Sequence, residues 1–374
     1  MEGFFGFGIM SFYHSSMSRK FQRRTLFVKK SNGRSWVAFA LFCLVFLVFL
    51  YGAIFLLPVV PSTSNAPQGG VYRVKISPQS GLAAISQQLS EQGIASNTLI
   101  FQLAARALFV GAKLKPGTYL LAPRASLGNI LLQIARGDRV RASVAIIPGM
   151  TIWQVRALMD SHPALVHQTK GMGSKELLQA LSLSYPGDEG LFYPDTYIFD
   201  PDDSDLSIYR RAAQAMQKQL NSAWEQRDSS TPLKTPYELL ILASIVEKET
   251  GRSSDRSLVA AVFINRLNLK MPLQTDPAVI YGIGPKFDGN LRKADLRKDS
   301  PYNTYMHKGL PPTPIAMPSK ESLQAAMHPA KSVAVYFVAR GDGSSHFSKS
   351  LKEHEEAVDQ FQRRRSATPK TNSH

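Results

Sequence analysis

Two glutamates at the end of an unusually apolar run are the residues best placed to do chemistry in this chain. The run Ala243-Ser244-Ile245-Val246-Glu247-Lys248-Glu249 stops at Thr250-Gly251. Ahead of it, Thr235-Pro236-Tyr237-Glu238 has the order of a helix start, with threonine as cap, proline in the first turn and glutamate at the third position. Apolar residues cover nearly the whole circumference from 239 to 246, which predicts a buried helix ending in carboxylates. Glu247 shares a helix face with Leu240, Ala243 and Ser244, and small residues beneath a carboxylate suit the floor of a cleft. Partial burial and a place in the last turn both favour the protonated form, which is what a glycosidic oxygen requires of a general acid. Glu247 is therefore the expected acid/base, with Glu249 facing nearly the opposite side. A salt bridge to Arg252, Arg256 or Arg266 is the competing, structural use of Glu247.

Polar groups follow in quantity. A second helix is expected from Ser254-Asp255 through Val259, Val262 and Phe263 to Asn265-Arg266-Leu267. Next comes a loop-rich stretch carrying Gln274, Asp276, Tyr281, Tyr302, Asn303, Thr304 and Tyr305 before the proline turn Gly309-Leu310-Pro311-Pro312. Long loops of this composition are commonly functional. With Asn265 they are expected to bind a neutral polysaccharide bearing acetamido groups. Glu189 and Tyr193, in the acidic and aromatic segment 188–197, join them as candidate sugar contacts. No cofactor and no metal are expected: the 8 histidines lack ligand spacing, and the one cysteine, Cys43, lies in an apolar segment.

The elements that must position these groups predict an α+β protein of several units. Trp36 to Leu57 is uncharged and long enough to cross a membrane. An uncleaved transmembrane helix over 36–60 is expected, since the run exceeds a signal-peptide core and no cleavage site ends it. Seven Lys/Arg precede it, from Arg19 to Arg34, and none lies between Pro61 and Tyr72. The positive-inside rule then places a basic head, 1–35, in the cytoplasm and everything beyond a linker, 61–70, across the membrane. The net charge of +16 is concentrated in that head and in a basic tail, 360–374, so nucleic acid is not an expected partner. Residues 71–137 read as a strand–helix–helix–strand unit similar to the LysM glycan-binding fold. A bridging segment, 138–235, leads into the helix of Glu247, and a β-hairpin near 333–347 with a helix from Leu351 closes a mixed α+β catalytic domain, 138–359.

Several of these blocks together, Ala243 to Glu249, Val262 to Leu267, Leu273 to Pro277, Tyr302 to Tyr305 and Gly309 to Pro312, resemble the endolytic murein transglycosylase (YceG-like) family. Glu189-Gly190 with Phe192 to Tyr197 matches a further block, and the similarity runs from about 71 to about 359. Where many members read Pro-Glu-Gly, this chain has Pro148-Gly149-Met150. The resemblance implies a single-pass protein of the bacterial inner membrane, with its catalytic domain in the periplasm. It would cut nascent peptidoglycan between N-acetylmuramic acid and N-acetylglucosamine to leave 1,6-anhydro ends, with Glu247 catalytic and penicillin-binding proteins among its partners. Two other readings stand beside it. One is a two-carboxylate muramidase with Asp276, Glu189 or Glu249 as second group; the other is a non-catalytic peptidoglycan-binding scaffold.

Overall fold

The computed structural model describes residues 33–61, 71–94, 97–228 and 231–363. The basic head up to residue 32, the linker from 62 to 70 and the tail beyond 363 lie outside them.

Helix α1 (Gly33–Leu56) has no polar face. Its span Trp36–Leu56, 21 residues with mean hydropathy 2.8, is long and apolar enough to cross a membrane. Most of its side chains are exposed, but Leu50, Ile54 and Phe55 pack into the first of three apolar cores.

That core belongs to β1 (Tyr72–Ile76), α2 (Leu82–Glu91), α3 (Thr98–Ala107), β2 (Gly117–Leu121) and α4 (Leu127–Arg136). The strands pair antiparallel, with Val74 opposite Tyr119. Alternation sends Tyr72, Val74 and Ile76 inward, and leaves Arg73 and Lys75 outside to pair with Asp202 and Asp203. Helix α4 is not part of the expected strand–helix–helix–strand order. Ser126 caps it and Gly137, at φ 81°, ends it, while Leu127, Ile130, Leu131 and Ile134 close the core. Gly128 faces α1 so closely that a Cβ there would sit 2.7 Å from the Phe55 ring and 3.0 Å from Ile54. Only glycine permits that approach without a shift.

The bridging segment builds a second core from β3 (Ala142–Ala145), α5 (Ile152–Asp160), β4 (Leu165–Val166), α6 (Ser174–Ala180), β5 (Thr196–Phe199), β6 (Asp203–Ser204) and α7 (Asp205–Glu225). β3 and β5 pair antiparallel, β4 and β6 parallel. Val140 N–H donates to the Thr118 carbonyl at 2.8 Å, joining this unit to β2. Helix α7 is shared: Ile208 and Ala212 sit in the second core, Met216 and Leu220 in the third.

The third core carries the site. It contains α8 (Pro236–Glu249), α9 (Arg256–Asn268), α10 (Asp276–Ile283), α11 (Lys320–Met327), the antiparallel hairpin β7 (Tyr336–Ala339) and β8 (Ser345–Ser348), and α12 (Leu351–Val358). As the sequence predicts, α8 starts with a Thr235 cap and is buried at every residue from Leu239 to Val246. Helices α10 and α11 replace part of what reads as loop. Both start on sequence signals, Pro277 in the first turn of α10 and the Ser319 hydroxyl on the Ser322 N–H of α11.

Candidate active site

A cleft of about 620 Å³ opens between the end of α8, the start of α10, β7 and α12. Glu249, Arg266, Gln274, Asp276, Tyr305, Tyr336 and His354 are among its walls. Glu249 Oε1 accepts a hydrogen bond from the Thr275 hydroxyl. Burial, which outweighs the Thr275 hydrogen bond, raises the Glu249 carboxyl to about 7, and Asp276 adds to the rise while Arg266 opposes it. A carboxylic acid that is half protonated at neutral pH is equipped to give a proton and take one back.

The neighbours are fixed rather than free. Arg266, nearly buried, donates through Nε to the Val335 carbonyl at 2.6 Å. Its Nη1 donates to the carbonyls of Pro272 and Leu273 and to Gln274 Oε1. It thereby ties α9 to β7 and to the strap that precedes α10. Gln274 holds a left-handed backbone, φ 49°, a conformation that costs energy for a residue with a Cβ. Tyr305 donates to Asp276 Oδ1 at 2.6 Å. The Thr304 hydroxyl accepts from Thr275 N–H and donates to the Thr275 carbonyl, and the Thr304 carbonyl accepts from Gln274 N–H. His354 stacks on Tyr336 with ring centroids 5.1 Å apart, and its Nδ1 has no hydrogen-bond partner among the described residues. Burial and the Arg266 charge lower its pKa, so the ring is neutral at pH 7.

Glu247 does not line this cleft. Both the N–H and the hydroxyl of Ser319 donate to its Oε2, so it anchors the start of α11. The small residues below it are covered as well. Ala243 and Ser244 are fully buried; the Ser244 hydroxyl accepts from Ile315 N–H at 3.0 Å, seating the proline turn on α8. The face expected to floor a sugar site is filled by this chain's own loop and by α11.

Of the other expected contacts, Gln274, Asp276 and Tyr305 reach the cleft. Tyr281 and Tyr302 do not; they meet edge to face with centroids 4.9 Å apart, and Tyr281 stacks on Trp153 at 4.9 Å. The Tyr302 hydroxyl bonds the Thr313 hydroxyl at 2.9 Å, and the partner of Tyr281 is Glu189, which is only 2% exposed. Glu189 accepts from Ile152 N–H at the start of α5, from Gly190 N–H and from the Tyr281 hydroxyl. Desolvation dominates those bonds and raises its carboxyl to about 8. Gly190 makes this junction possible: at φ 78°, a Cβ there would lie 2.5 Å from Pro314. Asn265 donates to the Ser332 and Ala334 carbonyls. Asn303, 1% exposed, gathers the carbonyls of Leu296 and Lys298. Tyr193 packs against the third core, and its carbonyl takes the Tyr197 hydroxyl. These groups, with Thr304, hold loops in place.

Sequence reasoning missed Arg266, Tyr336 and His354 in the cleft wall and Ser319 as the partner of Glu247. It also missed a group distant in sequence, Asp160, His167 and Asp205, whose ligand-type atoms lie within 4.8 Å of one another. Asp205 already accepts from the N–H groups of Gln168, Thr169 and Leu206 and from the Thr169 hydroxyl, which explains its burial without an ion.

The geometry is a cleft in a mixed α+β scaffold, with a carboxyl raised to about 7 in its wall. The sequence model of the YceG-like family matches residues 74–360. An endolytic murein transglycosylase of Bacillus subtilis (strain 168) is 32% identical over 340 residues, covering 84% of this chain and 89% of that protein. An endolytic murein transglycosylase of Streptococcus pneumoniae (strain D39) is 29% identical over 361 residues, covering 86% of this chain but 64% of its own length. A crystal structure of a YceG-like protein from Listeria monocytogenes, 29% identical, covers 77% of this chain and 98% of its own at a TM-score of 0.49. The chain belongs to the YceG-like family.

Proposed function

We propose that this protein is a membrane-anchored lytic transglycosylase that cuts peptidoglycan strands internally, with Glu249 as its acid/base. The observation that carries the reading is Glu249 itself: a carboxyl held near neutrality at the wall of the main cleft, among amide, tyrosine and histidine groups suited to a sugar. Glu247, the sequence-based expectation, is committed to Ser319, and the geometry favours its neighbour two residues on. The relatives named endolytic murein transglycosylases supply the substrate class.

In this reaction protonated Glu249 gives its proton to the oxygen between N-acetylmuramic acid and N-acetylglucosamine, and the C1–O bond breaks. The ionised glutamate then takes the proton of the muramic C6 hydroxyl as O6 bonds to C1. A 1,6-anhydro end forms, the glutamate regains its proton, and no water is consumed. Asp276 stands in the same cleft, which is the one observation favouring a two-carboxylate muramidase. Digestion of uncrosslinked glycan followed by mass spectrometry separates the two: anhydro ends support the transglycosylase, and reducing ends with added water overturn it.

In this reading α1 spans the inner membrane with the basic head inside, and the described units after it lie in the periplasm. The unit 71–137, read as LysM-like from its first four elements β1-α2-α3-β2 with α4 added, serves in this reading as an accessory glycan contact. Penicillin-binding proteins on the same side supply the nascent strands.

A further inference from the structure

The anchor packs directly on the unit it carries. The last two turns of α1 are covered on one side by the first core: Leu50, Ile54 and Phe55 pack there, with Phe55 against Gly128. Past the helix, the N–H groups of Val59 and Val60 both donate to the Ala125 carbonyl, at 3.0 and 3.2 Å. The bare part of α1, from Trp36 to Phe49, is fourteen residues long and reaches about 21 Å at the helical rise. A hydrocarbon core is about 30 Å thick. A helix that crosses it must therefore use the covered turns as well, and the unit docked on those turns is drawn into the outer interface of the bilayer.

A surface with the right chemistry exists on that unit. Helix α3 turns Phe101, Ala104 and Ala105 to the core, as an amphipathic helix should, but its opposite face is also apolar. Leu99, Ile100 and Leu103 are 70, 58 and 60% exposed, and Phe109 just beyond is 85% exposed on a left-handed backbone, φ 55°. Arg106 and Lys113 flank them. From Gln92 to Gly137 the sequence holds five Lys/Arg and no Asp or Glu. An apolar face flanked by Arg106 and Lys113 fits a bilayer that carries anionic lipid, and α3 packs on α4, the helix that seats α1.

We propose that the exposed face of α3, with Phe109, lies in the outer interface of the same membrane, as a second contact beside α1. The inference rests on the reading of α1 as a membrane span, and its test separates the two. The full chain, with Cys43→Ser as background, carries a single spin label at Leu103→Cys, Phe109→Cys, Phe46→Cys in α1, or Lys175→Cys on exposed α6. Each variant is reconstituted in bilayers of phosphatidylcholine with phosphatidylglycerol, and collision with oxygen is compared with collision with a water-soluble nickel chelate. The expected result is an oxygen-to-nickel ratio several-fold higher at positions 46, 103 and 109 than at 175. Omission of phosphatidylglycerol should lower the ratio at 103 and 109 alone. Lipid exposure at 46 with water exposure at 103 and 109 overturns the second contact and leaves the anchor standing. Water exposure at 46 removes the anchor and the inference together. Spin–spin broadening at 103 overturns the lipid assignment in favour of a second copy of the chain.

Discussion

The pair Glu249→Gln and Glu247→Gln discriminates between two carboxylates that sequence alone cannot tell apart. An ordinary glutamate with a pKa near 4.5 is protonated to about 0.3% at pH 7, whereas one near 7 is about half protonated. The environment of Glu249, raised to about 7, thus multiplies the acid form by roughly two orders of magnitude. Glutamine in its place keeps the size and can still accept from Thr275, but has no proton to give. Glu249→Gln should lower the rate of anhydro-end formation on the order of 1,000-fold, the usual scale of a lost general acid, with little change in melting temperature. Glu247→Gln can still accept from Ser319 through its amide oxygen. It should retain the rate within several-fold and lose at most about 1–2 kcal/mol of stability. The assay is mass-spectrometric counting of anhydro-muropeptides from purified uncrosslinked glycan, with thermal unfolding measured in parallel. Because the first step needs protonated Glu249, kcat/KM should fall as pH rises through about 7. A dead Glu247→Gln beside an active Glu249→Gln would refute the assignment.

Other outcomes follow from the same structure. Glu189 is raised to about 8, so the folded state holds a proton that the unfolded chain releases near 4.5. Stability is then full below about pH 4.5 and declines toward pH 8, by a few kcal/mol at about 1.4 kcal/mol per unit. Glu189→Gln should flatten that slope in melting curves taken between pH 5 and 8, and an unchanged slope would point to another group. Arg266→Lys loses the planar fork that serves three carbonyls and Gln274. It should cost about 2–4 kcal/mol in urea unfolding. Tyr305→Phe frees Asp276 Oδ1 and should slow cutting about tenfold, the scale of a lost charge-assisted hydrogen bond, with unfolding unaffected. Gly128→Val drives a side chain into Phe55 and Ile54; it should cost about 1–3 kcal/mol, read as a lower melting temperature and faster proteolysis after residue 57.

Helix α8 was legible because its signals are local: a Thr235 cap, Pro236 in the first turn and a run from Leu239 to Val246 that is apolar except for Ser244. Strands β1 and β2, the hairpin and α12 were readable for the same reason. What the sequence did not reveal is which face of α8 meets solvent, because that depends on pieces far along the chain. The small face of Ala243 and Ser244 reads as an open floor until α11 and the turn at Ile315 are seen to fill it. Helices α10 and α11, of eight residues each, are too short for periodicity to separate them from loop. Tyr281, Tyr302 and Glu189 were expected as sugar contacts from separate segments of the chain. Their burial between the second and third cores, away from the cleft, is set by tertiary packing on Trp153 and Pro314.

The enclosure of the middle of α8 governs how this enzyme fails. Its amides from Leu239 to Val246 have no solvent-facing side, and the helix touches α7, α9, α10 and α11. Such a segment cannot fray alone; it exchanges its hydrogens only when the surrounding unit opens. On heating, opening of the third core and deuterium uptake by this stretch should therefore coincide, leaving no temperature window in which that core stays folded around a disordered Leu239–Val246.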